Sequence, residues 1–152
     1  MEVIDARSDS DWARCKKTRK STTGALIKLA GCVQGHVCQT QGAIACSSGE
    51  AEFYGVVKGA SVLLGAISMC KDLGLDMKGR IHTDSSAAKG MAERSGLGKH
   101  VRHVEGNQLW VQEKVRDKEV ELRKVAGTEN LADALTKHVG GEEISKHLRG
   151  TN

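Results

Sequence analysis

Four acidic residues stand in four separate segments, each where a strand should end or a helix begin: Asp9, Glu52, Asp84 and Asp133. Their contexts are Ser8-Asp9-Ser10-Asp11-Trp12-Ala13, Ser47-Ser48-Gly49-Glu50-Ala51-Glu52-Phe53, His82-Thr83-Asp84-Ser85-Ser86 and Glu129-Asn130-Leu131-Ala132-Asp133-Ala134-Leu135. Carboxylates gathered in such turn-rich or apolar settings repel one another unless cations bridge them, so the pattern suggests a divalent-metal site. Taken singly, each has a plainer role. Asp9 and Asp84 suit turns or helix caps, Glu52 suits the first turn of a helix, and Asp133 suits a solvent-facing helix position. Only the ordered set favours the ligand reading. Two near neighbours are read differently, Asp11 as a structural group beside the site and Glu50 as part of a helix cap.

The elements that must position these acids follow from periodicity. Residues 2–9, 24–29 and 37–46 read as strands joined by glycine-containing or polar turns, an antiparallel meander. Ser47 and Glu50 have capping-box spacing, and Phe53, Val56, Val57, Ala60, Leu63, Leu64, Ile67 and Cys70 then recur at the period of a long helix. Gly55, Gly59 and Gly65 would each weaken that helix in isolation, so some of them are read as letting its backbone approach a sheet. Gly74 supplies a stop. A short strand over 80–83 follows, then a helix capped by Ser85 or Ser86 and running to about 94, a glycine-rich break over 95–99, and a helix over about 101–115. Residues 120–125 alternate as a strand, a helix starting at Thr128 or Asn130 reaches Lys137, and a tail helix covers 142–148. The order βββαβαβα plus tail predicts an α/β fold, a mixed sheet with helices on both faces.

A chain of 152 residues is sized for one domain, with a core over about 2–139 and a tail over 140–152. The formal charge of +4 is mild, but Lys16, Lys17, Arg19 and Lys20 cluster near the first acids and Lys99, Arg102 and His103 near the middle. Such patches favour a polyanionic partner, the plainer alternative being a solvated face. Five cysteines without a Cys-x-x-Cys pair indicate neither a disulfide framework nor a zinc knuckle and read as reduced thiols. No stretch is read as long and apolar enough to span a bilayer, and acids occupy the first residues where a signal peptide needs an apolar core. The expectation is an intracellular protein, cytoplasmic or nuclear. Trp12 and Trp110 are expected in the core or against helices, though either could stack on a base. No Ser/His/Asp or Cys/His arrangement suggests a side-chain nucleophile.

Taken together, the Asp9-Ser10-Asp11-Trp12-Ala13 opening, the Arg19-Lys20-Ser21-Thr22-Thr23-Gly24 run, Ser47-Ser48-Gly49-Glu50-Ala51-Glu52-Phe53 and Asn130-Leu131-Ala132-Asp133-Ala134-Leu135-Thr136-Lys137 closely resemble the ribonuclease H domain that ends the polyprotein of copia-type LTR retrotransposons. The resemblance runs from about Ser8 to His138. It implies a ribonuclease H-like fold, with a five-stranded sheet of three antiparallel and then parallel strands. It also implies endonucleolytic hydrolysis of the RNA strand of RNA–DNA hybrids by two Mg²⁺ ions, with Mn²⁺ as the alternative ion. Asp9, Glu52, Asp84 and Asp133 match the family's ligands. Two such ions about 4 Å apart activate the attacking water and stabilise the leaving 3′ oxygen. Arg19, Lys20, Ser21 and Thr22 match a turn set against nucleic acid, the alternative being a turn whose hydroxyls bond local backbone. Arg102 and His103 match a basic-His pair that precedes a helix and contacts the nucleic-acid backbone. The spacing of His100 and His103 also suggests zinc, but no further ligand stands nearby.

The chain departs from the family pattern at two places. His36 and Gln39-Thr40-Gln41 replace a Trp and a Lys-Lys pair, which implies weaker phosphate affinity. Val125-Ala126-Gly127-Thr128 stands where cellular ribonucleases H have a histidine that assists product release. The expected partners are a hybrid and a reverse transcriptase domain of the same polyprotein, of which this chain could be a fragment. The rival readings are a catalytically silent nucleic-acid-binding relic and a related enzyme that acts on DNA, as integrases and resolvases do.

Overall fold

The structure, a computed structural model, describes residues 2–96, 98, 104, 106–138 and 140–151. β1 (Glu2–Asp11) is the centre of the sheet, paired antiparallel to β2 (Thr22–Leu29) and parallel to β4 (Met77–Thr83). β3 (Cys32–Thr40) pairs antiparallel with β2, and β5 (Val120–Lys124) pairs parallel with β4, giving the order β3-β2-β1-β4-β5. This is the mixed five-stranded sheet expected from the sequence.

Side chains alternate across β1, and that alternation sorts its chemistry. Ile4, Ala6, Ser8 and Ser10 point toward α1 (Ser48–Asp72), while Asp5, Arg7 and Asp9 point to the opposite face. Ile4 and Ala6 join Phe53, Val56, Ala60, Leu63, Ile81, Val111 and Val120 in the buried core. α2 (Ser86–Glu93) and α3 (Trp110–Arg116) close the same core through Ala88, Met91, Ala92 and Val111. Two 3-10 segments, Gly127–Glu129 and Leu131–Leu135, lie against the other face, with α4 (Gly141–Thr151) beyond them.

Of Gly55, Gly59 and Gly65, Gly55 makes the closest approach to the sheet: a Cβ there would come within 2.8 Å of Ser10 Oγ, and at Gly59 within 3.5 Å of Ser8 Cβ. A Cβ on Gly65 would meet open space. α1 is, by length and composition, long and apolar enough to cross a membrane, which corrects the expectation that no stretch is. Its apolar side faces the sheet, with Phe53, Val56, Ala60 and Leu63 fully buried.

Several element boundaries differ from expectation, each for a local reason. β3 ends at Thr40, because Gln41 turns into the core and residues 42–46 form the loop that feeds the α1 cap. The helix expected to begin near residue 101 starts as α3 at Trp110, after the 3-10 turn Gly106–Gln108; most of 97–105 lies outside the described residues. The late helix is replaced by the two 3-10 segments, the second capped by Asn130, whose Oδ1 accepts from Ala132 N at 3.3 Å. Trp12, expected to pack inside, is 52% exposed, with its indole Nε1 donating to Ala45 O at 3.1 Å.

Candidate metal centre

Asp9 lies within β1 rather than at its end, and Asp84 follows the last residue of β4. The pairing Arg7↔His82, carried two residues further along both strands, sets Asp9 opposite Asp84. Glu52 opens the second turn of α1, since Ser47 is the N-cap and its Oγ accepts from Glu50 N at 3.1 Å. The Glu50 carboxylate completes this cap by accepting from Cys46 N at 3.1 Å and from the Tyr54 hydroxyl at 2.8 Å. With the helix entry fixed in this way, Glu52 reaches the rim shared by the two strands. One carboxylate oxygen from each of Asp9, Glu52 and Asp84 then falls within 4.8 Å of the others.

Asp133 is not a member of that group of three. Its Oδ1 accepts from Lys137 Nζ one helical turn further on, and the same ammonium stands 3.8 Å from Asp9 Oδ2. Asp9 Oδ2 also accepts from the Thr136 hydroxyl. Asp133 is nonetheless close enough for its charge to act on Asp9.

Crowding and burial set the protonation of the site. Burial, with the Asp9 and Asp84 charges added to it, pushes the Glu52 carboxyl up to about 8. Burial raises Asp9 to about 6, with the Thr136 hydrogen bond and the Lys137 charge working the other way. Burial lowers the Lys137 ammonium, but its bond to Asp133 and the charges of Asp9 and Asp84 outweigh this and raise it, so it stays charged. Asp9 Oδ1 and Glu52 Oε2 are buried without a hydrogen-bond partner among the described residues. Buried acceptors are ordinarily satisfied, and hard oxygen donors facing one another are the donor set of Mg²⁺, Mn²⁺ or Ca²⁺. The residues present fit a divalent cation.

No protein-family model matches the chain. By sequence it is similar to the retrovirus-related Pol polyprotein from transposon TNT 1-94 of Nicotiana tabacum. The two are 28% identical over 151 residues, which cover 97% of this chain and 11% of that relative. By structure it is similar to LC11-RNase H1, isolated from compost, with a TM-score of 0.62 and 16% identity over 97% of this chain and 99% of that one. The N-terminal RNase H domain of a Mycobacterium tuberculosis protein matches over 100% of both chains, with a TM-score of 0.60 and 16% identity. The chain has a ribonuclease H-like fold. LC11-RNase H1 in complex with an RNA/DNA hybrid is a further neighbour, with a TM-score of 0.60 and 14% identity over 95% of this chain and 99% of that one. The resemblance to a retrotransposon Pol domain read from the sequence motifs is thereby borne out.

The residues matched to nucleic acid in this ribonuclease H-like domain divide three ways. Arg19 is exposed, with positive φ in the turn where its N donates to Cys15 O at 2.7 Å, and Lys20 is half-buried. Ser21 is a correction: it is 0% exposed and its hydroxyl accepts from Ala13 N at 2.9 Å, so it holds the turn together and offers nothing to a substrate. Thr22, half-buried, donates its backbone N–H to Asp11 Oδ1, which gives Asp11 the structural role expected of it. Arg102 and His103 lie outside the described residues.

Three supporting residues were missed from the sequence. Gln41 is buried, and its Nε2 lies 3.2 Å from Ser10 Oγ, 2.8 Å from Thr23 Oγ1 and 2.9 Å from Ala51 O, bracing β1, β2 and α1 just behind Asp9 and Glu52. Asn130 Nδ2 donates to Ser8 O at 2.9 Å and Thr136 bonds Asp9, so the Leu131–Leu135 segment is tied to the strand that carries Asp9. The available signal is the full Asn130-to-Lys137 motif, in which only Asp133 is read from the sequence as a site residue.

Gly24 explains how that segment sits so close. It pairs with Asp9 in the β1–β2 register, and a Cβ on it would come within 2.7 Å of Leu135 Cβ and 3.2 Å of Ala132 O. Neither atom can swing away. Gly24→Ala is therefore expected to destabilise the domain by about 1–3 kcal/mol and to lift Thr136 and Asp133 off Asp9. Thermal unfolding and divalent-ion binding of the variant check both effects.

Proposed function

We propose that this domain is an endoribonuclease that hydrolyses the RNA strand of RNA–DNA hybrids with two divalent ions, Mg²⁺ or Mn²⁺. We also propose that it works beside the reverse transcriptase of a retrotransposon Pol polyprotein. One observation supports the reading above all: Asp9, Glu52 and Asp84 converge within 4.8 Å, two of them carrying buried oxygens without partners among the described residues. The Pol relative and the RNase H1 neighbours, one of them in complex with an RNA/DNA hybrid, agree with it.

Asp9, Glu52 and Asp84 would hold the ions, and Asp133 would complete the set. Bound ions would supply a water of lowered pKa and neutralise the leaving oxygen. The chain's own part is to fix these acids: Thr136 sets the rotation of the Asp9 carboxylate, the Ser47–Glu50 cap sets the entry of α1, and Gln41 prevents the helix from sliding on the sheet. The turn carrying Arg19 and Lys20 offers cations to phosphate. A groove of about 470 Å³ lined by Gln39, Lys58, Ser61, Gln108 and Trp110 runs along the other side of α1. It combines a cation, amides and an indole, the chemistry that receives a sugar–phosphate strand. Lys58→Ala is expected to weaken hybrid binding and lower the slope of log K against log salt by about 1, measured by fluorescence anisotropy across a salt series.

The deciding experiment is incubation of an end-labelled hybrid with Mg²⁺, with and without chelator, beside duplex DNA and duplex RNA. The expected outcome is chelator-sensitive cutting confined to the RNA strand of the hybrid. A hybrid bound yet intact at saturating Mg²⁺ and Mn²⁺ would establish a silent binding module instead, and cutting of duplex DNA would establish a DNA-directed enzyme.

A further inference from the structure

The site is divided into two halves by what already touches each carboxylate oxygen. On one side Asp9 Oδ1 and Glu52 Oε2 have no partner among the described residues, and one carboxylate oxygen of each of Asp9, Glu52 and Asp84 lies within 4.8 Å of the others. On the other side Asp9 Oδ2 accepts from Thr136 and stands 3.8 Å from the Lys137 ammonium, which also bonds Asp133 Oδ1. Lys137 thus spans the gap between Asp9 and Asp133, the gap that separates Asp133 from the other three acids. Its side chain is 45% exposed, against 1% for Asp9, so the ammonium has open solvent into which it can withdraw.

We propose that Lys137 is a tethered cation occupying the second half of the site, that a second divalent ion must displace it, and that Asp133 becomes a ligand only on that displacement. The inference rests on the reading of this cluster as a divalent-metal centre. An ammonium on a flexible four-carbon stem suits the role, being a compact point charge with rotatable donors, whereas a planar guanidinium would grip a carboxylate through a rigid fork. The device leaves the first ion free to bind at the unpartnered oxygens while it disfavours the second. A positive charge already lying between Asp9 and Asp133 repels an arriving cation and holds the oxygens that it needs. Lys137 is a positioning residue in this scheme, since it acts through Asp9 and Asp133.

The test is calorimetric titration of Mn²⁺ into the folded domain without nucleic acid, for wild type, Lys137→Gln, Lys137→Arg and Asp84→Asn. Lys137→Gln is expected to bind the second ion at least about fivefold more tightly, with the first ion less affected, because one charge near 4 Å has been removed. Lys137→Arg, which restores the charge, is expected to return second-ion affinity to the wild-type value or below. A purely structural ion pair would give the opposite sign, since its loss would loosen the site. A wild type that binds Mn²⁺ in an Asp84-dependent way while Lys137→Gln gives the same isotherm overturns the role of Lys137 alone. A wild type that binds no Mn²⁺, or binds it equally well as Asp84→Asn, overturns the metal-centre reading together with the inference built on it.

Discussion

Asp84→Asn is expected to leave the domain folded and to lower hybrid cleavage by at least about a thousandfold, a loss of roughly 4 kcal/mol of transition-state stabilisation. Asp84 is half-buried just beyond β4, and the turn after it is held by neighbours the substitution does not touch. Ser85 N donates to Thr83 Oγ1 at 3.2 Å, and Ser85 Oγ accepts from Ala88 N at 3.1 Å to cap α2. An amide matches the carboxylate in shape, so packing is kept while the charge goes. Removing that charge also relieves Glu52 and Asp9 of a repulsion that both feel, so the thermal midpoint should stay level or rise. A fall in activity with no fall in stability then separates lost chemistry from lost fold. Asp133→Asn is expected to cost less, on the order of tenfold to a hundredfold, because Asp133 stands outside the group of three and is held by Lys137. Initial rates on labelled hybrid at saturating Mg²⁺, beside thermal melts of the same samples, check the ranking. Equal activity of wild type and Asp84→Asn would remove the nuclease reading.

The acids that converge were legible because each sits where local rules leave a mark. Asp84 follows a short strand, and Glu52 follows a Ser47–Glu50 cap whose spacing is visible without any structure. The mixed sheet was legible in a meander followed by alternating strands and helices, whereas its strand order came only from what the family resemblance implies. Less visible were the contacts that depend on chain segments far apart. Thr136 meets Asp9 across 127 positions and Asn130 meets Ser8 across 122, and no periodicity announces such a pair. The end of β3 was misplaced for a similar reason. Ala43, Ile44, Ala45 and Cys46 form an apolar run that reads as strand, yet in the structure Ile44 is 54% exposed, while Gln41, a polar residue, is buried. Hydropathy cannot see that three acceptors from three elements wait for one amide. Trp12 erred in the opposite direction: its single donor is satisfied by Ala45 O at the surface, so the ring has no need to enter the core.

Stability should fall with rising pH in the absence of Mg²⁺, and Mg²⁺ should offset part of that fall. In chelator, the folded state holds Glu52 near 8 against 4.5 in the unfolded chain, and Asp9 near 6 against 3.8. Both values are raised, so the folded state binds more protons than the unfolded chain between those limits. The stabilisation is then complete below about pH 4 and is lost as pH rises through 6 for Asp9 and through 8 for Glu52. At about 1.4 kcal/mol per unit, the loss by pH 9 is on the order of 3 kcal/mol for Asp9 and 5 kcal/mol for Glu52 taken singly, roughly ten degrees or more in thermal midpoint. Divalent ions bind the ionised carboxylates, so saturating Mg²⁺ adds little at pH 5.5 and most at pH 8.5, about 2.7 kcal/mol when the ion is at a hundred times its dissociation constant. Glu52→Gln separates the two effects. It should raise the midpoint of the metal-free domain at pH 8.5, because a neutral amide replaces a buried charge, and it should abolish most of the gain from Mg²⁺. Melts across pH 5–9 in chelator and in Mg²⁺ for both proteins measure this directly. A Glu52→Gln domain that is less stable than wild type at pH 8.5 in chelator would mean that Glu52 supports the fold, not that the fold carries the strain of Glu52 on behalf of a cation.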